Sequence, residues 1–196
     1  MSASTWPPDA SSASLAQPQA GEPVAAAVLV PLFVAGDTRT PHVVLTRRRA
    51  DLRRHAGEIS FPGGRRDAED TDLTATALRE AEEEIGLMRA QVDLLGPLPE
   101  TSTFATNYVI HPFVGVIPEG IAWRLSAREV DAVLELPLEA VRAARTTTRI
   151  ERRGIEFETD AYVLDGHVIW GATARIIEHL LERLQGPGPA GQLSLA

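Results

Sequence analysis

A run of carboxylates at helical spacing, entered through a pair of glycines, constrains this chain more than any other stretch. Residues 63–87 read GGRRDAEDTDLTATALREAEEEIGL. On a helix, Glu80 and Glu84 stand four apart and Glu83 stands three from Glu80, so three carboxylates leave neighbouring positions of one face. Leu78, Ala81 and Ile85 take the other face. Like charges this close cost roughly a few tenths of a kcal/mol per pair in an isolated helix, a penalty that a divalent cation relieves. Carboxylate oxygen is the donor that Mg²⁺ and Mn²⁺ prefer. A glutamate cluster on an amphipathic helix is ordinarily just a solvated face, so its surroundings decide between the two readings.

Those surroundings are specific. Residues 79–87, REAEEEIGL, match the ending of the Nudix box at every fixed position, and the chain therefore resembles the Nudix hydrolase superfamily. Counting back from Arg79, the general spacing places the opening glycine at position 65 and an upstream glutamate at position 71. Here those positions hold Arg65 and Thr71, while Gly64, Glu69 and Asp70 lie close by, as if one residue were inserted in the turn. Further upstream, residues 45–67, LTRRRADLRRHAGEISFPGGRRD, are similar to the signature of the coenzyme A pyrophosphatase branch.

The resemblance implies an α/β fold, the Nudix α/β/α sandwich with a mixed β-sheet, and metal-dependent hydrolysis of a diphosphate linkage. Coenzyme A is the implied substrate, with 4′-phosphopantetheine and adenosine 3′,5′-bisphosphate as products. Glu80, Glu83 and Glu84 are the implied ligands of Mg²⁺ or Mn²⁺, and Arg79 is expected to orient a helix carboxylate. Gly63 and Gly64 let backbone amides approach closely, and Arg47, Arg53, Arg54 and His55 are the candidates to grip phosphates. The rival substrates are ADP-ribose, NADH or another nucleoside diphosphate derivative. A catalytically silent nucleotide-sensing module is the non-enzymatic alternative.

Composition narrows the field in the same direction. With 44% hydrophobic and 23% charged residues among 196, the chain suits one soluble domain with a full core. A net charge of −8 gives no general attraction for nucleic acid or anionic membrane, so a small anionic substrate is the expected partner and needs a local basic patch or a bound metal. The absence of cysteine excludes disulfides, thiolate metal sites and a cysteine nucleophile, and suits the cytoplasm, the expected location. All 19 basic residues are arginine, which removes Walker-type phosphate loops and Schiff-base chemistry. The histidines lack an HExxH context, and the acids at 67–72 lack the EF-hand order.

Along the chain, residues 1–23 are expected as a flexible tail without the form of a secretory signal, residues 24–184 as the domain, and residues 185–196 as a second tail. Strands are expected at 24–34 and 42–46, joined as a hairpin, and at 92–98 and 108–117. Asp70 or Asp72 is the expected N-cap of the box helix and Gly86 its stop. Short helices at 127–134 and 138–144 are divided by Pro137, and hairpins follow around Arg153-Gly154 and Asp165-Gly166. A final amphipathic helix at 171–184 turns Ile176, Ile177, Leu180, Leu181 and Leu184 inward.

Overall fold

One long apolar strand feeds two hydrophobic layers. The computed structural model describes residues 23–51, 57–103, 107–152 and 154–185; the expected tails fall on residues 1–22 and 186–196, outside that set. Strand β1, Val24–Ala35, carries apolar side chains on both faces, as a central strand must. Ala27, Leu29 and Phe33 pack with Val44 of β2 (Thr40–Arg48) against Ala77, Leu78, Ala81 and Ile85 of α1 (Leu73–Ile85). Val30 and Leu32 join Val43 and Leu45 against α2 (Leu138–Ala143) and α3 (Gly171–Gln185), where Ile176, Ile177 and Leu180 are buried. The sheet is therefore sandwiched between helical layers. Each fully buried aliphatic side chain contributes about 1.5–3 kcal/mol, which makes these two layers the main source of stability.

The sheet is mixed because β1 has parallel and antiparallel neighbours. It runs parallel to β7 (Tyr108–Val116), with Leu29 opposite Phe113, and antiparallel to β2, with Leu32 opposite Val43. Its first half pairs instead with β4 (Gly63–Arg65), with Ala27 opposite Gly64. Pro31 falls between the β4-paired and β2-paired halves, where a missing N–H breaks neither ladder. Strands β3 (Ile59–Ser60), β5 (Asp93–Pro97) and β6 (Thr101–Ser102) complete the edges, on β2, β7 and β7 respectively. This exchange of neighbours along β1 carries the glycine pair under α1.

One expected element is corrected. Residues 127–134 are not a helix: residues 130–137 form strand β8, Val130–Pro137, antiparallel to β2. Val130, Val133 and Leu134 have helical i, i+3, i+4 spacing, which is what the pattern suggested. The register shifts between Arg47 and Arg48, leaving Asp131 as the extra residue of a β-bulge. That extra residue lets Val130 and Val133 both face the α1 layer while Leu134 and Leu136 face the other. Beyond α2, β9 (Arg145–Arg152), β10 (Ile155–Leu164) and β11 (His167–Trp170) form a separate antiparallel sheet. Its second turn has positive φ at both Asp165 and Gly166, the backbone that a tight hairpin requires. Among the described residues, no helix is long and apolar enough to cross a membrane.

The strand assignment has a direct check. Val130→Ala in an exposed helix would be neutral or stabilising, because alanine is the better helix former. In β8 the valine is 3% exposed, so the substitution is expected to cost about 1–3 kcal/mol in chemical denaturation.

Candidate functional site

The site begins with where α1 starts and stops. Asp72, in extended backbone, is the N-cap, and its Oδ1 accepts from the Ala75 N–H at 2.7 Å. Gly86 closes the helix at φ 72°, and a Cβ there would press on Arg124, so glycine is needed for conformation and for space. The positions of these caps fix which way Glu80, Glu83 and Glu84 project.

Asp70 is not the cap; it is the anchor of the helix's arginine. Arg79 donates to it through a fork, Nε to Oδ1 and Nη2 to Oδ2, both at 3.0 Å. The Asp67 N–H and the Thr76 hydroxyl each donate to Oδ2 at 2.9 Å. Arg79 beside it, helped by these donors, overcomes the opposing effect of burial and holds the carboxyl well below the usual carboxylate range. The inserted turn residue thus leaves Glu69 exposed and Asp70 buried. Arg79 also reaches the Arg65 carbonyl, Glu80 at 3.1 Å and Glu83 at 3.3 Å.

The three glutamates have different surroundings. Glu84 is buried, its Oε2 accepting from the Gly63 N–H at 3.2 Å, with Arg48 Nη1 3.8 Å from Oε1. Burial pushes its pKa up to about 8 against the pull of the Gly63 amide and Arg48, and the charges of Glu80 and Glu129 add to the rise. Glu80 is also raised, chiefly by burial and in spite of Arg79. Its carboxylate lies against Gly64 so closely that a Cβ on Gly64 would overlap the carboxylate carbon and both oxygens. Gly63, in turn, lies against Ala27 O and Val28 with no room for a side chain. Glu83 is the outlying member, 59% exposed and bonded to Arg79.

Of the arginines expected at phosphates, Arg47 is bonded to Asp131 at 2.8 Å on the strand surface, whereas its neighbour Arg48 is the one that reaches Glu84. Arg53, Arg54 and His55 lie outside the described residues. Asp70, which the sequence offered without a fixed role, and Arg48, within its arginine-rich segment, are both brought to the helix, and Glu129 joins them as a residue that the sequence did not single out for the site. Glu129 reads as a helical residue in the sequence. It instead ends the turn that Ser126 ties to the helix through its N–H on the Glu84 carbonyl, and its own carbonyl accepts from the Arg49 N–H. The signal that locates it is the β2–β8 pairing, which sets the residue before β8 beside the arginines that end β2.

Among the described residues, no three of His, Asp and Glu are gathered into a ready-made metal cage. The donor set suits a hard cation of the Mg²⁺ kind all the same, because such ions are commonly held by one or two carboxylates and complete their shell with water and substrate phosphate. Glu80 and Glu84, with raised pKa values and a side-chain-free glycine wall beside them, supply two oxygen donors whose charge the protein leaves incompletely compensated.

Stability should respond to these carboxylates at both ends of the pH scale. The depressed Asp70 contributes stability that is fully present above its unfolded value near 3.8 and is lost as pH falls through the strongly acidic range. Asp70→Asn is expected to cost about 1–3 kcal/mol at pH 7 and to weaken that acid dependence in urea melts across pH. Glu84 acts in the opposite sense: its raised pKa lowers metal-free stability progressively between about 4.5 and about 8, and Glu84→Gln should remove that loss.

Comparison with known proteins agrees with this architecture. The family model described as NUDIX domain matches residues 23–156. An uncharacterized Nudix hydrolase NudL of Photorhabdus laumondii is 38% identical over 162 residues, covering 82% of this chain and 84% of its own. A protein of the same description from Yersinia pestis is 38% identical over 161 residues, covering 81% and 79%. Among solved structures, a MutT/nudix family protein from Enterococcus faecalis superposes with a TM-score of 0.59 at 14% identity, over 86% of this chain and 64% of that one. The NUDIX domain of Shewanella oneidensis NrtR, solved with ADP ribose, gives 0.56 at 16% identity, over 84% and 90%. These structural likenesses establish the fold, and the family match together with the curated relatives establishes that the chain belongs to the Nudix hydrolase family.

Proposed function

We propose that the protein is a metal-dependent diphosphatase whose substrate is coenzyme A, free or as a thioester. Water adds across the P–O–P linkage, one P–O bond breaks, and 4′-phosphopantetheine and adenosine 3′,5′-bisphosphate leave. The observation that carries the diphosphatase reading is the placement of Glu80 and Glu84 against the Gly63-Gly64 backbone. The choice of coenzyme A rests on the resemblance of residues 45–67 to that branch of the family, with Arg53, Arg54 and His55 included on sequence alone.

Glu80 and Glu84 would hold Mg²⁺ or Mn²⁺, with Glu83 bordering them on the solvent side. When bound, the cation supplies Lewis acidity at the phosphoryl oxygens and a lowered pKa for coordinated water. The chain's own residues do the positioning. Arg79, clamped by Asp70, holds Glu80 and Glu83 in register. The Gly63 N–H fixes Glu84, and Gly64 leaves the space that Glu80 occupies. Glu83 or Glu84 on the helix, or Glu129 as a loop acid, would accept a proton from attacking water.

Product analysis after incubation with coenzyme A and Mg²⁺ tests the substrate, with ADP-ribose and NADH assayed in parallel. Both cleavage products are expected from coenzyme A. Cleavage of ADP-ribose or NADH alone would transfer the assignment to that substrate, and turnover of none would leave a sensing module. Glu84→Gln is expected to lower kcat on the order of 10²-fold or more, and activity equal to wild type would remove its catalytic assignment. Gly64→Ala should produce a comparable loss in a folded protein, because its methyl group takes the position of the Glu80 carboxylate.

A further inference from the structure

The separate antiparallel sheet ends in an open edge. Among the described residues, β9 is paired along one side only, to β10, and the register runs unbroken from Arg145 opposite Tyr162 to Arg152 opposite Ile155. The devices that ordinarily blunt such an edge are missing: no proline, glycine or bulge interrupts its 8 residues, and Thr146, Thr147, Thr148 and Ile150 are β-branched. The edge strand β5 of the main sheet, by contrast, is broken by a register shift between Leu94 and Gly96 and closed by Pro97.

Alternation decides which backbone groups of β9 are unused. The Val163 N–H donates to the Ala144 carbonyl at 3.0 Å, so residues 144 and 163 are a hydrogen-bonded pair and the even-numbered residues of β9 turn their amides toward β10. The N–H and C=O groups of Arg145, Thr147, Arg149 and Glu151 therefore point outward. A second β9 laid antiparallel against them must match odd residues with odd ones about a two-fold axis, and the central choices place that axis at Thr147, Thr148 or Arg149. At Thr147 the axis sets Arg145 against Arg149, and at Arg149 it sets that residue against its own copy; like charges directly opposite one another are destabilising. At Thr148 every outward residue finds a partner, Arg145 with Glu151 and Thr147 with Arg149. On the other face Thr146 meets Ile150 and Thr148 meets itself.

Charge favours the Thr148 axis for a second reason. Glu151 stands opposite Glu156 in the β9–β10 register, and neither has an ion pair among the described residues. The other acids on that face are matched: Arg149 reaches Glu158 at 3.5 Å, and Arg145 reaches Asp160 at 4.0 Å and Glu178 of α3 at 2.6 Å. The strand's own arginines are thus neutralised, and the charge left over is the Glu151–Glu156 pair, beside which the Arg145 of a second copy falls.

We propose that β9 is a self-association surface, through which two copies of this chain join edge to edge about a two-fold axis at Thr148 and merge their three-stranded sheets into one. Such a contact is closed, so assembly stops at the dimer. One strand a side is a small interface, and the expected dissociation constant is on the order of 10 µM.

The absence of cysteine makes the test direct. In Thr148→Cys the two thiols lie across the axis at a non-hydrogen-bonded pair, whose Cα atoms stand about 4.5 Å apart, within the reach of a disulfide. Mild oxidation of the full chain at about 100 µM is expected to give a covalent dimer from Thr148→Cys and little from Thr146→Cys, whose two copies are displaced along the strands. Cross-linking of both alike, or of neither, overturns the proposal. Sedimentation velocity of the wild type across roughly 1–100 µM should show a monomer–dimer equilibrium. Thr147→Pro removes an outward N–H and leaves the ladder to β10 intact, and Glu151→Arg sets a like charge against Arg145; each should weaken the dimer about tenfold or more. Should Thr147→Pro fail to fold, Glu151→Arg decides the matter, because it places an opposite charge beside Glu156 within the monomer and its melting temperature in dilute solution should not fall. A wild type that stays monomeric over that range, or a dimer indifferent to Glu151→Arg, overturns the proposal.

Discussion

The close approach of α1 to the Gly63-Gly64 backbone is the contact on which the rest of the site depends. Two residues without side chains let Glu80 and Glu84 lie against a strand, one carboxylate taking a backbone N–H and the other filling the volume of an absent Cβ. A carboxylate in such a place is costly, and the cost shows in raised pKa values at both glutamates. The fold supplies the opposing stability a few ångströms away, in the layer of Ala77, Leu78, Ala81 and Ile85 packed under the same helix. One helix thus carries both the stabilising face and the destabilised, carboxylate-bearing one.

Arginine governs how that carboxylate face is arranged. The fork from Arg79 to Asp70 fixes the guanidinium from which Glu80 and Glu83 take their bearings, and it ties the turn at residues 67–70 to the middle of the helix. A lysine offers no second parallel donor for such a clamp. At the end of β2, strand alternation turns Arg48 toward Glu84 and leaves Arg47 on the opposite face with Asp131.

Much of this was legible in the residues themselves. The apolar run of β1, a helix start at Asp70 or Asp72 and its stop at Gly86, the closing hairpins and the buried stripe of α3 all follow from local propensity and periodicity, which tertiary packing then reinforced. The glutamates were visible as a cluster. Their unequal burial was not, because it depends on a strand brought under the helix from outside it. The role of Asp70 was obscured by a one-residue insertion that geometry resolves and counting does not. Strand β8 was misread because a bulge gives a strand the apolar spacing of a helix. That error has a plain origin: a register shift between partners 84 residues apart leaves no trace in local sequence.

The central claim is that Glu80 and Glu84, set against the glycine pair, form the cation site. Anomalous diffraction from crystals grown with Mn²⁺ tests it most directly. The account predicts a single strong anomalous peak, or a close group of peaks, within coordinating distance of carboxylate oxygens of Glu80 and Glu84, and its disappearance in Glu84→Gln crystals. Manganese bound elsewhere, or bound unchanged in the variant, would contradict it.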